Sequence, residues 1–129
     1  MAEAVLTAHS HTRYVVLAAA VLAALAAIIG SARREGPRGL ERVLAIAFVS
    51  LLDLQVLLGI VLLTLRPFYG ALIGHIVLML AAVASAHIGS VSARKRGPTG
   101  AASRVRLRSI LITLVFLVAG ITALGRTVF

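Results

Sequence analysis

The residues of this chain best equipped for chemistry are four histidines, His9, His11, His75 and His87, together with Asp53 and Gln55. All of them lie in or beside long apolar runs. Imidazole takes up and releases protons near neutral pH, and it ligates metals and haem iron. Ionisable groups within a membrane are rare and usually functional, and an aspartate at the centre of a spanning helix costs about 2.5–3.5 kcal/mol on insertion scales. Each of these side chains therefore needs a partner or a task.

Counting from the nearest basic residues sets their depth. His75 lies nineteen positions before Arg94, and His11 twenty-two before Arg33. At ~1.5 Å per residue the two differ in height by only ~4–5 Å. That level suits one b-type haem held by His11 and His75, with Arg13, Arg66 and Arg126 placed to pair with its propionates. His9 lies two helical steps from His11, on another face. Two other readings stay open. His9 and His11, completed by His75 or Glu3, could form a copper or zinc site, or His9 and His11 could simply be interfacial residues hydrogen-bonded to water and lipid headgroups. His87 has no histidine at its own depth in another run, which argues against a second bis-histidine haem. Asp53 is its expected partner, as a proton relay or as a polar clasp between helices. Gln55 falls on a different face, where Gly59 allows a close neighbour. The chain has no cysteine, and no Ser-His-Asp set, close pair of carboxylates or Gly-rich phosphate loop is apparent. Thiol and classical hydrolytic chemistry therefore have no candidates.

The elements that must position these residues are four apolar runs. The chain has 129 residues, 60% of them apolar, with a mean hydropathy of +1.06. Soluble domains are about 45–50% apolar, so much of this surface is expected to face the lipid bilayer. The spans are read at about 10–31, 42–65, 71–92 and 108–126, each long enough to cross the hydrocarbon layer as a helix. Pro and Gly mark the breaks between them. Short connections predict an all-α, integral membrane, up-down-up-down four-helix bundle in which spans one and three face each other across the core. Alanines crowd span one, and Ala81, Ser85 and Gly89 recur at four-residue steps in span three, where small residues allow close helix packing.

Net charge is +9, but the basic residues gather in two connections instead of spreading over a face, so nucleic acid is not expected as a partner. Arg33, Arg34, Arg38 and Arg42 fall in the first. Arg94, Lys95, Arg96, Arg104, Arg106 and Arg108 fall in the third. The positive-inside bias puts both basic segments, 32–42 and 93–108, in the cytoplasm and both termini outside. No basic residue precedes span one, which therefore reads as an N-out anchor and not as a cleavable signal.

The segments AHSHTRYVVL, LLDLQVLLGIVLL and GHIVLMLAAVASAHIGS, with a closing AGI, resemble a family of small bacterial four-span membrane proteins labelled cytochrome b-like. The resemblance covers nearly the whole chain. It implies a shared four-helix fold, with His11, Asp53, Gln55, His75 and His87 at the family's polar positions. The expectation is thus a haem b protein of the bacterial cytoplasmic (inner) membrane. It would exchange electrons with quinone or a periplasmic partner, within a larger redox complex or alone. The competing expectation is an accessory or assembly subunit without a cofactor.

Overall fold

The computed structural model describes residues 1–33, 39–126 and 128. Four helices follow one another: α1 (Ala2–Ser31), α2 (Gly39–Leu65), α3 (Ala71–Lys95) and α4 (Gly100–Thr122). All four are long and apolar enough to cross a membrane. Arg34 and Arg38 of the first basic connection lie outside the described residues.

Local signals account for the ends. Pro67 follows α2 by two residues, and the residue before a proline is pushed out of the helical region. Between α3 and α4 the chain turns at Gly97, whose φ is +66°, a conformation that favours glycine. Thr99 then caps α4, its hydroxyl accepting from the Ala102 amide at 3.3 Å. This turn is much shorter than the basic connection expected at 93–108. Arg104, Arg106 and Arg108 sit on the opening turns of α4, because capping by Thr99 starts the helix ahead of them. At the other extreme α1 begins at Ala2, so His9 and His11 are helical residues well inside its first turns.

Seven-residue steps organise the core. Buried positions recur at Val16, Ala23 and Gly30 in α1, at Glu41, Phe48 and Gln55 in α2, at Ala82 and Gly89 in α3, and at Ser103, Ile110 and Leu117 in α4. A strict seven-residue repeat suits helices wound gently around one another in a left-handed bundle. The helices alternate in direction. α1 packs on α2 and α4, α4 packs on α3, and α2 meets α3 only sparsely, which sets α1 and α3 on a diagonal. Both termini and the α2–α3 connection therefore share one end of the bundle, called here the terminal end. The first and third connections share the other, basic end.

Small residues set the spacing. Gly89 lies against Ser109, where a Cβ would overlap the Ser109 side chain, and Ser109 Oγ donates to the Ser85 carbonyl at 2.8 Å. The small stripe of α3 thus serves the α3–α4 contact. The middle of the core is apolar, built on Val16, Phe48, Leu52, Ala82 and Leu117. Each end of the same stripe carries polar side chains instead.

At the basic end, Glu41 is 3% exposed. Its carboxylate accepts from Arg106 Nη1 at 2.8 Å and from Ser103 Oγ at 3.1 Å. Gly30 of α1 covers this group, and a Cβ there would run into Glu41 Oε2. Glu41 was not among the residues singled out from the sequence. The available signal was a lone acid, in RGLERV, inside an otherwise basic segment.

Candidate functional site

The terminal end of the stripe holds His9, Gln55 and His75, and these three border a cavity of about 250 Å³. Its wall is mainly aliphatic, with Met79, Leu117 and Ile121 on the core side. Arg13, Arg66 and Arg126 also line it, as does Tyr69. A mostly apolar recess with a few convergent polar groups is the usual form of a small-molecule site.

Each histidine is held by its Nδ1. His9 Nδ1 lies 3.1 Å from the Gln55 carbonyl oxygen. Gly59 stands one helical turn beyond Gln55, and its missing side chain leaves that carbonyl uncovered; a Cβ at 59 would come within 3.3 Å of His9 Cε1. Gln55 returns the contact, its Nε2 donating to the His9 carbonyl at 2.9 Å. His75 Nδ1 lies 2.7 Å from the Gly120 carbonyl oxygen. Gly120 is in the last turn of α4, where helix carbonyls lose their regular partners. Leu124 N, four residues on, bonds to Ile121 instead, at 3.2 Å, so His75 supplies the donor that the helix end lacks.

Both carbonyls accept, so both Nδ1 atoms carry the proton and each Nε2 is an acceptor; that of His9 meets Gln55 Nε2 in a long contact of 3.4 Å, and that of His75 has no partner among the described residues. Fixing one imidazole nitrogen on a carbonyl is how proteins orient a histidine that ligates a metal through the other. Two further groups at the cavity stand open. Among the described residues, Arg13 Nε and Gln55 Oε1 are buried without a hydrogen-bond partner. The Arg13 guanidinium otherwise donates to Tyr14 Oη at 2.7 Å and lies 4.6 Å from that ring's centroid. Arg66 pairs with Glu3 at 2.9 Å on the rim, linking the start of α1 to the end of α2.

The structure separates His11 from His75. His11 does not border the cavity with His75. It is exposed, and its Nδ1 lies 2.8 Å from the Thr7 carbonyl of its own helix. Depth alone put His11 level with His75, but the two helical steps between His9 and His11 turn through about 200°. Val16, Ala23 and Gly30 fix which face of α1 is inside, and the position seven residues before Val16 is His9. Arg13, Arg66 and Arg126, expected at the outer ends of the spans, line this recess.

Asp53 and His87 form a separate site. Asp53 Oδ1 lies 2.8 Å from His87 Nε2, joining α2 to α3 along their open seam. Among the described residues there is no group of three or more His, Cys, Asp or Glu that could hold a metal ion, so the copper or zinc arrangement through His9, His11, His75 and Glu3 is not assembled. No protein family, curated protein or solved structure matches the chain.

Proposed function

We propose that this chain is a small membrane-embedded b-type cytochrome whose one haem is held by His9 and His75 at the terminal end. One observation carries the reading. Two imidazoles from diagonal helices border one apolar recess, and each is tied at Nδ1 to a main-chain carbonyl; His75 Nε2 has no partner among the described residues, and His9 Nε2 has only the Gln55 side-chain amide at 3.4 Å, which a ligand would displace. The donor set fits the group. Two neutral imidazoles suit a haem iron, and Arg13, Arg66 and Arg126 suit the two carboxylates of its edge. The unpartnered Arg13 Nε offers a further donor there.

When bound, the haem supplies one-electron transfer. The chain's own residues hold and orient it. The Gln55 and Gly120 carbonyls lock the imidazole tautomers, the aliphatic wall excludes water, and the arginines neutralise negative charge. By the positive-inside bias the basic end lies in the cytoplasm of a bacterial inner membrane and the terminal end faces out. Electrons would then be exchanged with quinone or with a periplasmic partner, alone or in a larger redox complex. The cytochrome b-like resemblance points the same way.

A reduced-minus-oxidised visible spectrum of the protein purified in mild detergent tests this. A sharp α-band is expected in the wild type and in His11→Ala, and its loss is expected in His9→Ala and His75→Ala. A folded wild-type protein that stays colourless when made with ample haem would overturn the proposal.

A further inference from the structure

Asp53 and His87 are placed where a membrane protein can least leave them. Asp53 lies eleven residues after Arg42 and His87 seven before Arg94. At ~1.5 Å per residue these are depths of ~16 and ~10 Å from the basic end, inside a hydrocarbon layer ~30 Å thick. Neither residue falls on its helix's buried stripe. Their side chains are 44% and 49% exposed, on the one side of the bundle where adjacent helices meet sparsely. Leu54, Leu57 and Ile88 surround them, all exposed. Lipid tails cover leucine and isoleucine well, but they offer no hydrogen bond to a carboxylate or an imidazole.

Only one polar atom of each group is used within the chain. Asp53 Oδ1 and His87 Nε2 bond to each other, and among the described residues Asp53 Oδ2 and His87 Nδ1 have no partner. The face thus presents an open carboxylate oxygen from α2 beside an open imidazole nitrogen from α3. A two-fold rotation about the membrane normal brings the same oxygen opposite the same nitrogen, at the same depth, in a second copy. With one proton shared in each contact, two Asp53 and two His87 side chains close into a ring of zero net charge.

We propose that the α2–α3 seam is the interface of a symmetric homodimer, joined by Asp53 and His87 of the two copies. The second copy gives Asp53 Oδ2 and His87 Nδ1 a partner each, and it supplies both in register because it is the same surface. This interface is independent of what the terminal-end cavity binds.

The absence of cysteine allows a clean test. Lys95→Cys, exposed at the basic end, is labelled with donor or acceptor dye, and energy transfer is measured in liposomes across a range of protein-to-lipid ratios. Wild-type copies should associate. Asp53→Leu with His87→Leu should weaken association at least tenfold while helical circular dichroism is retained. The exchanged pair, Asp53→His with His87→Asp, should restore it, because the ring is rebuilt. Val115→Ala, on an exposed face of α4, should leave association unchanged. A monomeric wild type, an undiminished Leu double variant, or an equal loss in Val115→Ala would overturn the proposal.

Discussion

The sharpest quantitative expectation concerns Glu41. Its side chain is 3% exposed and that of its partner Arg106 is 11% exposed, with the two 2.8 Å apart. Removing one member of a buried ion pair leaves an uncompensated charge, which costs about 3–5 kcal/mol, whereas replacing both by apolar residues of similar size is often neutral or stabilising. Glu41→Ala and Arg106→Ala should therefore each destabilise the bundle by about 3–5 kcal/mol, and Glu41→Leu with Arg106→Leu should cost far less than their sum. Gly30→Ala supplies a third arm. Its new Cβ would meet Glu41 Oε2 and Ser103 Oγ, so it should be costly in the wild type and much milder once Glu41 is alanine. Reversible unfolding by sodium dodecyl sulfate in mild micelles, followed by circular dichroism, gives all these free energies. Single variants costing under about 1 kcal/mol, the range of a solvated surface pair, would refute the reasoning. So would a double variant equal to the sum of the singles.

Other expectations follow from close contacts and from the cavity. Gly89→Ala should cost about 1–3 kcal/mol by overpacking against Ser109, and Ser109→Gly in the same chain should recover part of it in the same unfolding assay. Gly59→Val should push the His9 ring off the Gln55 carbonyl; under the proposed haem ligation the α-band should then weaken, as is expected for His9→Ala, with helical content unchanged. Glu3→Ala removes an exposed rim pair, 44% and 80% exposed, and should change stability by no more than about 1 kcal/mol.

Much of the fold can be read from the chain. Four apolar runs broken by Pro and Gly can satisfy their backbone groups in lipid only as helices, and short connections force neighbours to run antiparallel. That Arg13, Arg66 and Arg126 lie at the ends of spans was legible too; that they line one recess was not. His9 was hidden by a choice of criterion. Height along the helix favoured His11, while rotation about the axis favours His9, and only the buried series Val16, Ala23 and Gly30 decides between them. That series is present in the sequence, yet α1 is apolar nearly all round, so its inward face does not stand out from composition. Glu41 escaped for a related reason. A carboxylate among arginines reads as part of a solvated charged segment until Ser103 and Arg106 are seen closing over it.

By itself, then, the sequence determined which segments become helices, how they alternate in direction and which ends carry positive charge. These properties depend on local composition and on the cost of bare peptide groups in hydrocarbon. Apart from the Asp53–His87 pair, which depth along the helices already matched, only the tertiary structure decided which side chains meet. It turned His9 and His75 toward one recess, gave each a main-chain carbonyl from a different helix, left Asp53 and His87 on an open seam and sealed Glu41 beneath Gly30. Rotation about a helix axis is set by packing against neighbours distant in the chain, and an apolar helix carries little local information about it.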